Sequence, residues 1–568
     1  MMEPILNEER GVRLAVEGCG HGTLNAIYAS VEEACRRKGW LGVDLLIIGG
    51  DFQSVRNAYD LNCVSMPAKY RSMGDFHEYY SGQRNAPYLT IFVGGNHEAS
   101  NSLFELYYGG WVAPKIYYLG AANVVRLGPL RIAGMSGIWK GYNYRKPHHE
   151  RLPYNETDIK SIYHIRELDV RKLLQIRTQV DIGLSHDWPK GIEWKGAWKQ
   201  LFRHKKHLED DARNGQLGNV AAAQVMDRLR PRYWFSAHLH CKYAAIVRYD
   251  DAASDPQENP STSIRQSEIK NADEIDLDVQ IDEASTADDP VSIKEAPVVN
   301  EDEIDLELDE ENDSNAPNFS NQSVEKVSDH FEPSMSLSAR TSSAQEARAA
   351  LPEAFHRHCR PKPVPMEHPP DIINLKTKFL ALDKCMPGKQ FLQLISDPIE
   401  KDVERDRPLK LEYDREWLAI VRAFALAEPL IVGDPQARVP PPKCEAEYRQ
   451  LIEEQQKWIE EHVADTTLHV PEVFSITAPV YDGGNWNLPQ YSIIEEQPNP
   501  QTAHFCEMLE IPNPFEISKE AKAARMAAGT RPDPDAERYV FKRDRGGPGR
   551  GRGHGRARGV NKGRYRGR

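Results

Sequence analysis

Short apolar runs alternate with segments of helical periodicity over the first 250 residues. Between the runs, residues 161–177 and 219–229 place apolar side chains on one face of a helix, and the second segment begins at Asn219 and stops before Pro231. Strands that alternate with helices predict an α/β layer architecture. The apolar runs, interpreted as strands, span residues 12–16, 44–48, 88–93, 124–135, 181–184 and 233–236.

Two pairs of runs are close enough to predict hairpins. Residues 123–127 and 130–133 are joined by Gly128-Pro129. In the second half of the chain, residues 378–382 and 390–394 flank a Met386-Pro387-Gly388 turn. Helices are expected near residues 412–427 and 446–463.

The charge of -13 is unevenly distributed. Residues 250–313 contain 23 Asp and Glu against 3 Lys and Arg, whereas residues 541–568 contain 11 Lys and Arg against one Asp. The rest of the chain is close to neutral, so the total charge does not argue against a nucleic-acid partner.

Residues 250–345 are poor in aromatic side chains and rich in Asp, Glu, Ser and Pro, which predicts disorder. The sequence DEIDL occurs twice, at residues 273–277 and 302–306. The repeat is compatible with a docking motif for another protein, but a solvated acidic spacer is the simpler interpretation. The Arg-Gly tract at residues 546–568 is also expected to be disordered, and it could bind RNA non-specifically, belong to a nuclear signal or only aid solubility.

The eight cysteines form no CxxC pair, so neither a zinc ribbon nor a disulfide framework is indicated. No apolar run approaches the length of a membrane span, and the N-terminus lacks the pattern of a signal peptide. We therefore expect a soluble protein of a reducing compartment.

Five motifs that can bind metal follow predicted strands, where α/β proteins place their ligands. Metal-assisted phosphate chemistry needs one carboxylate that bridges two cations and imidazoles that complete the coordination of each cation. A lone His-x-His or a lone buried Cys would indicate little, but five motifs in this order predict two metals. Asp51 is the expected bridge; Cys19, His21 and His240 would complete one site, Asn96, His186 and His238 the other, and His97 is the candidate acid.

This order resembles the metallophosphoesterase family over residues 12–243. The resemblance implies a β-sandwich flanked by helices, with a dinuclear metal centre at its edge. Two residues depart from the family pattern: Cys19 replaces an Asp, and Ala237 replaces the usual Gly. The cysteine, in the sequence VEGCGHG, is similar to that of the lariat debranching enzymes. Thiolate sulfur suits iron(II) or zinc better than magnesium, which puts the family's usual manganese in doubt. Iron(II), zinc and manganese all stay candidates.

A segment rich in aromatic and basic residues resembles the lariat recognition loop of the same enzymes. Aromatic rings can stack on splayed nucleotides while basic groups bind phosphates, although an ordinary solvated loop is the simpler alternative. The expected RNA-binding residues are Trp139, Lys140, Tyr142, Tyr144, Arg145, Lys146, Arg151 and Tyr154.

The resemblance extends diffusely to the C-terminal region and implies a division of the chain. A smaller C-terminal α+β region would follow the catalytic domain. The expected boundaries are a catalytic domain at residues 11–248 with its recognition loop at about 137–164, an acidic linker at 249–348, a C-terminal debranching-enzyme domain at 349–525, and an Arg-Gly-rich tail at 526–568.

The implied function is hydrolysis of the 2′-5′ phosphodiester at the branch point of excised intron lariats, which allows intron turnover. Branched RNA would be the substrate, splicing-associated proteins could bind the acidic linker, and the location would be the nucleus, with possible shuttling to the cytoplasm. The alternatives are a DNA nuclease or protein phosphatase of the same family, and an inert scaffold. A scaffold should lack Asp51, Asn96, His97 or a later histidine, and all are present. Oligomeric state stays open.

Overall fold

The computed structural model describes residues 11–249, 368–398, 407–484 and 494–532. Within these residues the strands form a six-stranded sheet in the order β12-β1-β2-β3-β5-β4 and a seven-stranded sheet in the order β10-β11-β9-β8-β7-β6-β13. The strands are β1 Gly11–Glu17, β2 Leu45–Ile48, β3 Thr90–Phe92, β4 Gly110–Ala113, β5 Ile116–Tyr118, β6 Ala122–Leu127, β7 Leu130–Met135, β8 Ile182–Ser185, β9 Tyr233–Ser236, β10 Tyr243–Arg248, β11 Lys376–Ala381, β12 Leu392–Pro398 and β13 Leu411–Tyr413.

Helices connect and flank the two sheets. None of the described helices is both long and apolar enough to span a bilayer. The helices are α1 Leu24–Lys38, α2 Phe76–Tyr80, α3 Ser100–Phe104, α4 Gly141–Tyr144, α5 Glu156–Ser161, α6 Glu167–Leu174, α7 Trp198–His204, α8 His207–Arg213, α9 Val220–Leu229, α10 Arg415–Ala427, α11 Glu445–His462, α12 Pro500–Met508 and α13 Lys519–Ala528, with short 3-10 turns at Asp60–Cys63, Ala68–Tyr70, Ile192–Lys195 and Asp465–Leu468.

The main core lies between the sheets. Alternate residues of β1 point in opposite directions, as the period of a strand requires. Leu14 belongs to the large apolar cluster that contains side chains of both sheets, whereas its neighbour Ala15 packs with the helices on the outer face. The predicted β-sandwich flanked by helices is therefore confirmed.

The chain segments on either side of residue 250 share both sheets. β12 pairs antiparallel with β1, β11 lies between β9 and β10, and β13 pairs with β6. Each strand that follows residue 250 thus pairs with a strand that precedes it. The C-terminal segment therefore completes both sheets of the N-terminal segment. The predicted boundaries stay predictions, and most of the acidic linker and tail lies outside the described residues.

The predicted hairpin at residues 123–133 is confirmed, since β6 and β7 pair antiparallel around Gly128, whose φ is 55°. The predicted hairpin at residues 378–394 is wrong. The two strands join different sheets, because a strand within a sheet of several strands is more stable than one in an isolated pair. Of the predicted helix at residues 161–177, the structure has α6, which covers Glu167–Leu174: α5 ends at Ser161, and Arg166 is extended before α6 begins.

Candidate metal centre

The five predicted motifs meet at one edge of the sandwich. β1, β2 and β3 are parallel neighbours in one sheet, and β8 and β9 are parallel neighbours in the other. Parallel strands bring their carboxyl ends to the same edge, so the loops that follow them converge. The motifs begin at Cys19, Gly49, Gly95, Ser185 and His238, at the last residue of β8 or shortly after the end of a strand.

One group of ligands surrounds a single point. The Nε2 atoms of His21 and His240 lie 3.1 Å apart, and His21 Nε2 is 3.7 Å from Asp51 Oδ2. The backbone N–H of His238 donates to Cys19 Sγ at 3.2 Å. The ligand atoms of Cys19, His21, Asp51 and His240 all lie within 4.8 Å of one another.

A second group gathers at the other oxygen of the same carboxylate. His186 Nε2 lies 3.5 Å from Asp51 Oδ1 and 3.3 Å from Asn96 Oδ1. His186 Nδ1 donates to the carbonyl oxygen of Gly49 at 3.0 Å, which orients Nε2 towards Asp51. The ring of His238 lies 4.9 Å from that of His186, centroid to centroid. Asp51 thus stands between the two groups, as a bridging ligand would.

Burial leaves most of these imidazoles neutral at physiological pH. It lowers the pKa of His21 to about 4, of His238 to about 3 and of His240 to about 2. Burial alone would raise the pKa of Asp51, but nearby histidines, His186 first, hold it well below its usual range. Neutral rings and an ionised carboxylate offer the lone pairs that cations require.

Cys19 fits a metal site better than an ordinary core. Burial, with the charge of Asp51, raises the pKa of its thiol well above the usual range. A bound cation would reverse this effect, because coordination stabilises thiolate. One sulfur, two imidazoles and a carboxylate form a donor set that suits a borderline divalent metal.

Several ligands have a backbone conformation that side chains other than glycine rarely adopt. A positive φ at a residue with a Cβ costs of order 1–3 kcal/mol and persists only where the surroundings enforce it. The clustering of these conformations at one edge indicates a functional site. The ligands are His21 (φ 42°), Asp51 (43°), His238 (64°) and His240 (46°), and Gln53 (59°), close to them, shares the conformation.

Two glycines leave room for the ligands. A Cβ at Gly95 would lie 2.2 Å from Asp51 Oδ1, and a Cβ at Gly50 would lie 2.1 Å from His186 Nδ1. Any side chain at either position would displace a ligand. Ala237, which replaces the family's usual Gly, has room for its methyl group because it faces Gly49. A Cβ at Gly49 would lie only 2.9 Å from the Cβ of Ala237.

His97 lies beside both groups without belonging to either. Its backbone N–H donates to Asp51 Oδ1 at 2.8 Å, and its ring centroid lies 6.0 Å from that of His21. The side chain is 8% exposed. It therefore adjoins both ligand groups, and its role as a proton donor stays a prediction.

No role was predicted for Glu98 from the sequence. Its buried carboxylate accepts backbone N–H groups of Phe52 at 2.7 Å, Gln53 at 2.8 Å and Gly95 at 3.0 Å. It therefore ties two ligand loops together. Gln53 was also missed, and its side-chain Nε2 lies 3.3 Å from His21 Nδ1. Only the position of Glu98 directly after His97 could have suggested its role.

Both ends of the predicted recognition loop are attached next to the metal centre. The backbone N–H of Gly137 donates to the carbonyl oxygen of Gly94 at 2.8 Å, and Ile138 forms a parallel bridge with His164. The N–H of Trp139 donates to Asp187 Oδ2 at 3.2 Å, one residue beyond a ligand. Residues 137–164 therefore begin and end beside the second ligand group.

Three of the predicted RNA-binding side chains are exposed. Tyr142 is 55% exposed and the Arg145 side chain 77%. Lys146 is also exposed, and its Nζ lies 5.7 Å from the ring centroid of Tyr142. Trp139 and Tyr144 are partly buried with ring centroids 4.8 Å apart, so they form the base of the loop. Lys140 is partly buried as well.

The last two predicted residues pack against other parts of the chain. Tyr154 lies against a small apolar cluster that contains Cys63, Leu152 and Ile494. A Cβ at Gly433 would lie 3.4 Å from the Cβ of Arg151. The structure thus does not bring these two residues together with the exposed side chains of Tyr142 and Arg145.

Family comparisons match both segments of the chain. Residues 12–242 match the family model described as Calcineurin-like phosphoesterase, and residues 374–514 match the one described as Lariat debranching enzyme, C-terminal domain. A phosphoesterase of this kind uses divalent metal ions, and the cluster around Asp51 can hold one.

Curated relatives match most of the chain. Lariat debranching enzyme of Schizosaccharomyces pombe is 38% identical over 504 residues, which cover 87% of this chain and 95% of the relative. The human enzyme of that name is 37% identical over 88% of this chain and 69% of its own length, and the Arabidopsis thaliana enzyme is 34% identical over 88% and 87%. The protein is a metal-dependent phosphodiesterase by descent, and the chain belongs to the lariat debranching enzyme family.

Proposed function

We propose that this protein hydrolyses the 2′-5′ phosphodiester bond at the branch point of excised intron lariats and thereby allows intron turnover in mRNA processing. The observation that carries the proposal is the position of Cys19. Its thiol is one of four ligands that converge on one point, in a chain whose relatives are named for debranching. The same position holds a carboxylate in the wider phosphoesterase pattern.

Two cations would be held by the two groups that share Asp51. Cys19, His21 and His240 would complete the first, and Asn96, His186 and His238 the second. When bound, such a pair stabilises charge on a phosphate and makes water a nucleophile at neutral pH. Iron(II), zinc and manganese are the candidates, and the thiol favours the first two.

His97 would supply the proton that the leaving group needs. A 2′-oxygen leaves poorly as an alkoxide, so a protonated imidazole that donates to it would accelerate cleavage by roughly 10²–10⁴-fold. The backbone N–H of His97 donates to Asp51, so the residue adjoins the metal ligands. The products would be a linear RNA with a free 2′-hydroxyl and a 5′-phosphate.

Selectivity for the branch would come from the loop at residues 137–164. A 2′-5′ and a 3′-5′ phosphodiester offer similar oxygens to the metal ligands. Tyr142 and Arg145 extend into solvent from a loop attached beside the second ligand group. In this proposal they contact the nucleotides around the branch.

Two proposals concern residues that mostly lie outside the described part. The acidic linker at residues 249–348 would bind splicing-associated proteins, and the basic tail would support nuclear localisation, with possible shuttling to the cytoplasm. Both rest on charge pattern alone.

A comparison of three substrates tests the proposed function. Full-length protein would be supplied separately with iron(II), zinc and manganese, and given a synthetic branched RNA, a linear 3′-5′ RNA and an aryl phosphodiester. Selective cleavage at the branch is expected. Equal cleavage of linear RNA would favour a general nuclease, and no cleavage with any metal would favour an inert scaffold.

A further inference from the structure

The segment between β11 and β12 crosses the metal-ligand loop of β1. The N–H of Cys19 donates to the carbonyl oxygen of Asp383 at 3.3 Å, and the N–H of Cys385 donates to the carbonyl oxygen of Cys19 at 3.3 Å. Cys19 and Lys384 are thus partners in a parallel bridge. A Cβ at Gly18 would lie 2.1 Å from the Asp383 carbonyl oxygen, so the two segments are in close contact.

This contact places Lys384 next to a metal ligand. The side chain of Lys384 is half-buried, and its ammonium forms no ion pair with any carboxylate in the described parts of the chain. The nearby carboxylate of Asp383 is already engaged: it accepts the backbone N–H of Lys384 at 2.9 Å and lies 3.9 Å from Lys389 Nζ. The charge of Lys384 is therefore not paired with a carboxylate of the described residues.

Two more lysines lie near Lys384. Lys389 and Lys205 are close enough for their positive charges to act on both Lys384 and the Asp383 carboxyl. Lys205 follows α7 in a basic run from Arg203 to Lys206. The three ammonium groups thus lie around the carboxylate of Asp383.

The lysines and the recognition loop adjoin different halves of the centre. Lys384 adjoins Cys19, in the group around Asp51 Oδ2, whereas the loop is attached beside His186, in the group around Asp51 Oδ1. A ligand centred on Asp51 would meet the loop on one side and the lysines on the other.

The chemistry of a branched nucleotide supplies the missing anion. Its ribose carries the scissile phosphate on the 2′-oxygen and a second phosphate on the neighbouring 3′-oxygen. When the first phosphate is at the metals, the second must lie close by, and it stays attached after cleavage. Ammonium groups bind such phosphates as point charges.

On the proposed debranching function, we propose that Lys384 binds the uncleaved 3′-phosphate of the branch nucleotide, and that Lys389 and Lys205 follow the strand that leaves it. A linear RNA at the same metals lacks this second phosphate on the reacting ribose. The contact therefore adds a means of selecting the branch, contributed by the C-terminal segment.

Binding to metal-free protein tests this inference without turnover. EDTA-treated full-length protein would be titrated with a fluorescent branched RNA between 50 and 200 mM KCl. Lys384→Ala should weaken binding about ten-fold, as for loss of a charged hydrogen bond, and lower the slope of log affinity against log salt by about 0.7. Lys384→Arg should restore binding, and Lys457→Ala, an exposed lysine of α11, is the matched control.

A second RNA identifies the phosphate. With a neutral methylphosphonate at the 3′-position, wild type and Lys384→Ala should bind equally. A ten-fold difference that persists on this RNA, or no difference on either RNA, would overturn the inference. Failure of wild-type protein to cleave a branched RNA that it binds would count against the proposed function instead, because the lysine contact is measured by binding alone.

Discussion

The Nδ1 atom of His97 lies 3.1 Å from the backbone carbonyl oxygen of Ser65. A carbonyl oxygen only accepts hydrogen bonds, so Nδ1 carries a proton, and Nε2 is the nitrogen that can exchange a proton with a substrate. Ser65 is itself oriented by the recognition loop, since its Oγ lies 3.1 Å from the hydroxyl of Tyr163. The candidate acid and the loop are therefore linked through one serine.

His97→Ala should abolish turnover and leave metal and RNA binding nearly intact. The expected loss of kcat on branched RNA is about 10²–10⁴-fold. Metal analysis and single-turnover cleavage would measure the two properties, and His204→Ala, an exposed histidine of α7, is the control. Loss of metal together with activity would identify His97 as a ligand.

Removal of the exposed loop side chains should impair RNA more than small substrates. The double variant Tyr142→Ala, Arg145→Ala is expected to lose at least about ten-fold more kcat/KM on branched RNA than on an aryl phosphodiester, since each base stacked on an aromatic ring contributes roughly 1–3 kcal/mol. Tyr70→Ala, an exposed tyrosine outside the loop, is the control. Equal losses on both substrates would contradict a recognition role.

The strands that carry the ligands were predictable because their signal is local. Apolar runs such as residues 44–48 and 233–236 end where polar motifs begin, and parallel pairing brings those ends together. The ligand groups around Asp51 follow from this order. The sequence could not show that Asp51 offers one oxygen to each group, because that depends on side-chain orientation.

The partners of the late strands were not predictable in the same way. Lys376–Ala381 and Leu392–Pro398 are adjacent in sequence and separated by a turn-forming segment, so local rules favour a hairpin. Their actual partners, β9, β10 and β1, lie more than 100 residues away. This long-range pairing places Lys384 beside Cys19, and no sequence motif indicates that position.

Glu150, within the recognition loop, forms a buried ion pair with Arg166, which follows the loop in the chain. Both side chains are 1% exposed, and Arg166 also donates to the carbonyl oxygens of Asn143 at 2.8 Å and Ser161 at 2.9 Å. The pair therefore connects three points of the loop. Burial alone would raise the pKa of Glu150, but the charges of Arg166, His149 and His148 and a hydrogen bond from Ser161 together lower it to about 2.

Glu150→Gln should destabilise the protein in a pH-dependent way. Removal of the charge leaves Arg166 buried without its partner, which costs about 3–5 kcal/mol of unfolding free energy. A carboxyl with a depressed pKa stabilises the fold above its ordinary pKa of 4.5 and loses that effect as pH falls towards 2.

Urea unfolding at several pH values would measure the effect. The difference between wild type and Glu150→Gln should be full at pH 6 and shrink between pH 4.5 and 2. Glu33→Gln, which breaks an exposed pair with Arg36, is the matched control and should change little. A difference independent of pH would show that lost packing, not charge, causes the destabilisation.

Two deletions should separate catalysis from RNA affinity. Removal of residues 250–345 is expected to leave kcat on branched RNA within about two-fold, because every ligand lies in other segments. Removal of residues 546–568 should weaken RNA binding chiefly at low salt, since arginine contacts to phosphate are screened. An unchanged salt dependence would show that the tail does not contact RNA.

Cys19 should tune the metal without acting as the nucleophile. Its sulfur lies in the four-ligand cluster with His21, Asp51 and His240. Cys19→Asp is therefore expected to retain activity and shift preference towards manganese, because carboxylate oxygen is a harder ligand than thiolate sulfur. Cys19→Ser should hold metal less tightly in the same group.

Metal-stripped proteins, titrated anaerobically with iron(II), zinc and manganese, would show the shift. Cys35→Ser serves as the control, since Cys35 is a buried cysteine of α1 that packs in the outer core. Loss of the Cys35 thiol should leave metal preference unchanged. If Cys19→Asp binds its full complement of metal and is inactive with all three, ligand tuning cannot account for Cys19. The thiol would then have a direct chemical role, which a covalent phospho-cysteine trapped by acid quench would reveal.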